Sequence, residues 1–243
     1  LGFSKSKQNS MDGVSDRTIC MYFLHACTMT SIHLGKLASE LILWSSNLAG
    51  LFDVHSEYST GSSIMPQKRN PDSLELIRSK ANIIRSKSQE FSNIISNLPL
   101  TYFKDFQEDK KIIFDCFDEL SICLNVMSDV IKKSHFNKKI GVELCETNFA
   151  TATDLADYLV IEKNIPFRKS YKTIAEIVQF ALNNKMKLSE ISLKEFQNFE
   201  KSIDSNIYQY IDVKKSLARK KTNMSTNPKE VSKKIRKFQK FLK

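Results

Sequence analysis

Residues 15–44 read SDRTICMYFLHACTMTSIHLGKLASELILW, and this stretch decides the fold class. Its apolar side chains recur every three or four positions, which is the repeat of a long amphipathic helix. Two later stretches repeat the pattern, and long helices with such stripes normally pack side by side in bundles. The three predicted core stripes are Ile19, Phe23, Ala26, Thr30, Leu34, Leu37, Leu41 and Trp44; Leu74, Ile77, Ala81, Ile84, Ser88, Phe91 and Ile95; and Ile113, Phe117, Leu120, Leu124, Met127 and Ile131.

The composition agrees with a helical fold. Six glycines and five prolines are few for 243 residues, which favours long helices over a turn-rich β fold. After about Phe136 the pattern changes to shorter helices, predicted at 153–162, 168–183 and 193–203, the last one capped by Ser192 and Glu195. The predicted fold class is therefore all-α. A long-helix bundle over residues 1–138 is followed by a small helical carboxy-terminal domain over residues 139–243.

The net charge of +10 comes from the end of the chain. Residues 214–243 contain twelve Lys or Arg and one acid, Glu230. A basic amphipathic helix is expected here, with its apolar stripe docked onto the body of the protein. An RNA-binding or membrane-surface patch is the alternative. The stripe consists of Val231, Ile235, Phe238 and Leu242.

Cysteine and histidine spacings do not predict a metal site. The five cysteines lack metal-ligand spacing and are expected to be small buried thiols of a reducing compartment. His25, His33, His55 and His135 form neither an HxxxH nor an HExxH pattern. No apolar run approaches the roughly 20 residues that span a bilayer. Because the chain begins Leu1-Gly2-Phe3 with no methionine or signal peptide, it is expected to be a truncated or split product.

Residues 61–72, GSSIMPQKRNPD, suggest a catalytic loop. Gly61 permits unusual backbone angles, and Asn70-Pro71 is typical of a helix N-cap and first turn. A helix N-terminus favours a bound anion. Ser62 or Ser63 could then remove a proton next to a carboxylate, provided that lysine and N–H groups stabilise its alkoxide. Lys68 and Asn70 could hold the carboxylate.

Residues 61–80, GSSIMPQKRNPDSLELIRSK, resemble the GSSxMPxKxN loop of the fumarase/aspartase superfamily. The flanking residues are similar to those of the argininosuccinate lyase family within it. These are Tyr58-Ser59-Thr60, Gln67, Asp72-Ser73-Leu74-Glu75-Leu76, Thr101-Tyr102, Gln107-Glu108-Asp109-Lys110 and Ala152-Thr153-Asp154-Leu155-Ala156-Asp157-Tyr158-Leu159.

The resemblance implies a role for each matching residue. Ser62 matches the catalytic serine, and Lys68 and Asn70 match residues that meet substrate carboxylates. Glu75 matches a carboxylate that orients a catalytic histidine supplied elsewhere in the family. The positions that bind the rest of argininosuccinate match Tyr102, Gln107 and Lys110. Asp16 and Arg17 match a family motif too, and for them a structural ion pair is expected.

The resemblance also implies a reaction and a setting. The reaction is reversible cleavage of argininosuccinate to arginine and fumarate, without cofactor or metal, in cytoplasmic arginine biosynthesis. Family members are homotetramers whose active sites combine segments from three subunits. Neither a membrane nor a nucleic acid is expected as a partner. A sister lyase acting on adenylosuccinate or aspartate, and a non-catalytic structural or partner-binding remnant, are the alternatives.

Two departures from the family pattern stand out. The segment that carries the family's catalytic histidine is absent from these residues, and none of the four histidines matches its motif. Near the carboxyl end the family usually has a Gly-Gly-Thr turn, where this chain has Met224-Ser225-Thr226.

Overall fold

The structure, a computed structural model, describes residues 2–242 and divides between Asn137 and Lys138 into two compact units. The all-α prediction is confirmed, because helices dominate and the strands are two residues long. None of the helices in residues 2–242 combines the length and apolar content that crossing a membrane requires. The α-helices of the first unit are α1 (Ser10–Ser15), α2 (Thr18–Ser45), α3 (Asp72–Ile95) and α4 (Glu108–Lys133).

The first unit is a bundle in which α2, α3 and α4 run alternately up and down. One hydrophobic cluster joins the start of α2 to the end of α3 and the start of α4, and a second joins their opposite ends. Gly35 on α2 allows the closest approach of α3, since a Cβ there would lie 3.2 Å from the Cβ of Ala81. The buried residues of the three helices are Leu24, Cys27, Ser31, Leu34, Ala38 and Leu41; Leu74, Ile77, Ala81, Ile84 and Phe91; and Asp109, Ile112, Cys116, Cys123, Met127 and Val130.

The predicted stripe of α3 is confirmed, whereas those of α2 and α4 are wrong in part. On α2, Leu34 and Leu41 are buried as predicted, but Ile19 and Ala26 are exposed. The other buried positions, 24, 27, 31 and 38, each lie one residue after a predicted one. On α4, the predicted Phe117, Leu124 and Ile131 are exposed. Both helices carry apolar side chains on two faces, so periodicity alone selected the wrong face in places.

Two short antiparallel strand pairs hold the loops at one end of the bundle. β1 (Phe52–Asp53) pairs with β4 (His135–Phe136), and β2 (Thr60–Gly61) pairs with β3 (Arg69–Asn70). Three 3₁₀ turns complete the local structure, at Ser56–Tyr58, Lys104–Gln107 and Leu188–Glu190.

The second unit packs shorter helices around one apolar cluster that includes Leu155, Tyr158, Ile177, Phe196 and Ile207. The predicted capping box is confirmed, because the Ser192 hydroxyl accepts the Glu195 N–H and the Glu195 carboxylate accepts the Ser192 N–H. The predicted helix 193–203 ends earlier. The helices are α5 (Lys138–Thr147), α6 (Ala152–Lys163), α7 (Phe167–Asn183), α8 (Leu193–Phe199), α9 (Ile207–Ile211), α10 (Val213–Arg219) and α11 (Pro228–Phe241).

A buried carboxylate fixes α10 against α6. Asp154 accepts hydrogen bonds from Arg219 Nη2 at 3.1 Å and from Lys220 Nζ at 2.7 Å. Arg219 also stacks on the Tyr210 ring. Burial by itself would raise the pKa of Asp154, but hydrogen bonds from Lys220, Ser216 and Arg219 outweigh it and hold that pKa below its usual range.

The expected docking of the basic tail is wrong. α11 is capped by Asn227, whose amide group also donates to Ala218 O, so its first turn is anchored. However, no residue of α11 is buried. In the turn before it, Met224 has a φ of 68°, a left-handed conformation that glycine adopts far more easily.

The five cysteines are free thiols, and Cys27, Cys116 and Cys123 are buried as expected. Cys20 and Cys145 are only partly covered. Burial raises the pKa of the Cys116 thiol to about 12, and the neighbouring Cys27 adds to the rise. A thiol with such a pKa is a packing residue and a poor nucleophile at neutral pH.

Candidate active site

The serine loop is a hairpin, here called the serine hairpin (residues 60–70), that stands on the first turn of α3. Thr60 pairs with Asn70, and Gly61 pairs with Arg69. The Thr60 N–H donates to Asp72 Oδ1 at 3.0 Å, and the Ser73 hydroxyl donates to Tyr58 O at 2.7 Å. These bonds fix both ends of the hairpin and leave its tip in solvent.

Ser62 is the first residue of the tip, and its oxygen is held by the backbone. Ser62 Oγ accepts the N–H groups of Ile64 at 3.3 Å and Met65 at 3.2 Å. Two N–H donors pointed at one oxygen would stabilise negative charge on it, which a serine acting as a base requires. Ser62 is half-buried, whereas Ser63 is exposed.

The strand pairing brings the predicted carboxylate-binding residues into the same hairpin as Ser62. Lys68 is exposed beside the tip, and its N–H donates to Met65 O at 3.0 Å. Asn70 is half-buried in β3, opposite Thr60. Lys68 and Asn70 therefore lie on the returning side of the hairpin whose first side leads to Ser62.

The predicted start of α3 is wrong. Asn70 belongs to β3 and is not the N-cap, and Pro71 occupies the capping position, with its carbonyl accepting the N–H groups of Leu74 and Glu75. The pairing of Asn70 with Thr60 outweighs its preference for capping. Asp72 and Glu75 place two negative charges in the first turn, and these oppose a bound anion there.

Two further residues of this region have defined surroundings. Glu75 is exposed on the first turn of α3, where it can meet a partner from outside the chain. Partial burial would raise the pKa of Asp72, but the hydrogen bond from Thr60 outweighs this and holds the pKa below its usual range. Gly61 has neither a positive φ nor a close neighbour, so its expected conformational freedom is not used here.

The second group of predicted residues lies where α4 begins, here called the α4 entry segment (residues 101–110). Thr101 has a φ of 85°, and Tyr102 is half-exposed with its ring 5.9 Å from that of the buried Phe106. Gln107 closes the 3₁₀ turn, and Lys110 lies in the first turn of α4. All three predicted side chains are exposed.

A partly buried ion pair holds this segment in place. Arg17 Nε donates to Asp109 Oδ2 at 2.7 Å, and its guanidinium lies 4.2 Å from the centre of the Phe106 ring. Lys110 Nζ lies 3.2 Å from the other Asp109 oxygen. The ion pair expected for Arg17 is thus present, and Asp16 forms a separate one with Lys7. Spacing could not reveal the Arg17–Asp109 pair, because its members are 92 positions apart.

The two groups of predicted residues lie at opposite ends of the bundle. The serine hairpin precedes α3, and the α4 entry segment follows it. α3 has 24 residues, so at 1.5 Å per residue it separates the groups by about 36 Å. The end of α4 returns to the hairpin end, where Lys133 pairs with Glu57. One copy of the chain therefore does not bring Ser62 and Lys110 together.

Two family models match this sequence. One, described as argininosuccinate lyase C-terminal, matches residues 149–218, and the other, described as lyase, matches residues 1–85. The argininosuccinate lyase of Pelagibacter ubique is 38% identical over 99% of the chain and 52% of the relative. The argininosuccinate lyase of Campylobacter hominis is 40% identical over 100% of the chain and 53% of the relative.

Solved structures agree on the fold. An EDDS lyase in complex with formate superposes with a TM-score of 0.85 at 25% identity, over 98% of this chain and 49% of that one. A class II fumarase of Schistosoma mansoni superposes with a TM-score of 0.71 at 18% identity, over 90% of this chain and 43% of that one. The chain spans about half the length of the curated relatives it matches. It belongs to the argininosuccinate lyase family.

Proposed function

We propose that the chain forms part of a cytoplasmic carbon–nitrogen lyase that splits argininosuccinate into arginine and fumarate, a step of arginine biosynthesis, without a cofactor. The observation that carries this proposal is the Ser62 oxygen, which receives two backbone N–H groups in a hairpin shared with Lys68 and Asn70. The names of the relatives support the choice of substrate.

The chemistry assigned to this end begins with proton removal. Ser62, as an alkoxide stabilised by the Ile64 and Met65 N–H groups, takes a proton from the carbon next to a substrate carboxylate. Lys68 and Asn70 stabilise the negative charge that develops on that carboxylate. The electron pair left on carbon forms the double bond of fumarate as the carbon–nitrogen bond breaks. The nitrogen receives a proton and leaves as part of arginine.

Two further roles complete the proposed site. Glu75 orients the family's catalytic histidine, which lies outside these residues and assists the departing nitrogen. Tyr102, Gln107 and Lys110 bind the rest of argininosuccinate, where the Lys110 cation suits a carboxylate and the phenol and amide can donate or accept hydrogen bonds.

We assign the complete site to a homotetramer. The separation of about 36 Å between the serine hairpin and the α4 entry segment supports this, because a single site needs both. The exposed apolar faces of α2 and α4 support it too, since water-facing stripes of this kind mark interaction surfaces. On α4 this face carries Phe114, Phe117, Leu124 and Ile131.

An assay of fumarate release tests the proposal. The purified chain is mixed with the amino-terminal half of the Pelagibacter ubique relative, and fumarate is followed by its ultraviolet absorbance. Argininosuccinate, adenylosuccinate and aspartate are compared as substrates. We expect release from argininosuccinate alone. Release from another of the three would assign the chain to a sister lyase, and none from any would favour a non-catalytic role.

Two neighbouring serines provide a matched pair of variants. Ser62→Ala should lower the rate of fumarate release about a hundredfold to ten-thousandfold, as loss of a general base does. Ser63→Ala removes the same hydroxyl one position away and should leave the rate within about twofold, because effects on exposed positions are small. Unchanged turnover in Ser62→Ala would overturn the assignment of the base.

A further inference from the structure

α11 presents an apolar stripe to water. Val231, Ile235, Phe238 and Leu242 recur along one side of the helix, and their side chains are 45% to 81% exposed. Phe241, next to the stripe, is exposed too. The sequence pattern predicts that this stripe docks on the protein body, whereas the structure leaves it uncovered.

The rest of α11 is positively charged. Six Lys or Arg side chains accompany one acid, Glu230, in the 14 residues of the helix. In the part of the chain that the structure describes, none of these six cations forms an ion pair. At 100° per residue, Lys234 borders the stripe on one side, and the other five cations lie further round the helix, towards the opposite face. The helix therefore has an apolar face and an opposite face that is strongly cationic.

The positive charge and the apolar stripe of α11 together indicate which kind of partner covers this helix. An RNA backbone would match the cations but would leave the apolar stripe in water. A second α11 would match the stripe but would bring two cationic helices together. An anionic lipid surface matches both, because a helix with an apolar face and a Lys- and Arg-rich polar face can bury the first at the acyl boundary and keep the second among the anionic headgroups.

We propose that α11 is an interfacial helix that binds the surface of anionic phospholipid membranes. Its 14 residues span about 21 Å, so it lies in the plane of the surface instead of crossing it. Phe238 and its apolar neighbours enter the boundary between headgroups and acyl chains, and the cations contact the headgroups. The Asn227 cap anchors the first turn of α11 to Ala218, so the rest of the chain is carried to the membrane with it.

Vesicle sedimentation with the whole chain tests this proposal. Vesicles of phosphatidylcholine with about 30% anionic phosphatidylglycerol are compared with vesicles of phosphatidylcholine alone. We expect the chain to sediment with the anionic vesicles only, and less so as salt rises. Absence of binding to the anionic vesicles overturns the proposal.

Two phenylalanines of nearly equal exposure distinguish binding through the α11 stripe from non-specific adsorption of the protein to vesicles. Phe238 on α11 is 64% exposed, and Phe167 at the start of α7 is 63% exposed. Phe238→Ser should weaken vesicle binding roughly tenfold, whereas Phe167→Ser should leave it unchanged. If both variants weaken vesicle binding equally, or if neither variant weakens it, α11 is not an interfacial helix. The proposal would also be overturned if the chain bound RNA but not vesicles, and if Phe238→Ser left RNA binding unchanged. The partner of α11 would then be a nucleic acid.

Discussion

The Ser62 side chain illustrates how a single residue is prepared for chemistry by its own backbone. Its oxygen accepts the N–H groups of Ile64 and Met65, and both come from the next three positions. Such donors have no signature in the sequence, because every residue except proline carries one. The sequence could name Ser62 through its motif, but only the folded hairpin identifies which groups stabilise its charge.

Met224 is a strained residue whose replacement should stabilise the second unit. Its positive φ costs a non-glycine residue about 1–2 kcal/mol, so Met224→Gly should gain about 1 kcal/mol after the extra entropy lost by glycine. Thermal unfolding should shift upward by about 4–8 °C. Asn223→Gly, at a neighbour without positive φ, serves as the control and should not stabilise. A lower melting temperature for Met224→Gly would show that the turn is unstrained.

Asp154 should make the stability of the second unit depend on acid. Because the folded-state pKa of Asp154 lies below its unfolded value of 3.8, its contribution is present above that value and is lost as pH falls through the folded pKa. Asp154→Asn should cost about 1–3 kcal/mol at neutral pH and flatten the fall of stability below about pH 4. Denaturant unfolding at several pH values measures both effects. Asp157→Asn, on the exposed side of the same helix, is the control and should change neither the stability nor its pH dependence. If the stability of Asp154→Asn falls with pH in parallel with that of the native chain, Asp154 is not the source of the acid dependence.

At the scale of elements, the α4 entry segment depends on α2 for its position. Arg17, next to the start of α2, reaches Asp109 and covers Phe106, so that the exposed Tyr102, Gln107 and Lys110 have a fixed base. Asp109 is a buried carboxylate, and such a group is costly without its partner.

Arg17→Ala should therefore loosen this segment and leave the serine hairpin intact. We expect a loss of about 2–4 kcal/mol in the stability of the first unit, since Lys110 still offsets part of the Asp109 charge. Amide hydrogen exchange should quicken over residues 101–110 and stay unchanged over residues 58–72. Arg78→Ala, an exposed change on α3, provides the control. Uniform faster exchange over both regions would contradict a local role for Arg17.

Sequence periodicity predicts some of the secondary-structure elements and their buried faces, and it fails for others. It placed the long helices and the α3 core correctly, because Leu74, Ile77, Ala81 and Ile84 form that helix's main apolar face. It failed on α4, where Phe117 and Leu124 form a second apolar face that the single chain leaves in water. It also failed at Asn70, because cross-strand pairing with Thr60 is a tertiary contact that local propensity does not contain.

At the scale of the whole molecule, the two ends of the bundle hold different parts of the proposed site. Motif matching gave all seven predicted residues, but it carried no information on the distance between them. The length of α3 supplies that distance, and it excludes a site built from Ser62 and Lys110 of one copy. The exposed apolar faces of the bundle offer the surfaces through which copies can meet.

Mixing two inactive variants tests whether Ser62 of one copy and Lys110 of another form one site. Ser62→Ala and Lys110→Met chains, each supplied with the amino-terminal half, should release almost no fumarate alone. Refolded together they should recover up to about a quarter of the native rate, because random assembly then pairs an intact serine hairpin with an intact α4 entry segment in that share of the sites. Ser62→Ala mixed with Lys68→Met is the control, and it should stay inactive because both changes lie in one hairpin. If the Ser62→Ala and Lys110→Met mixture is as inactive as its components, the two segments do not meet across copies, and the proposed shared site is wrong.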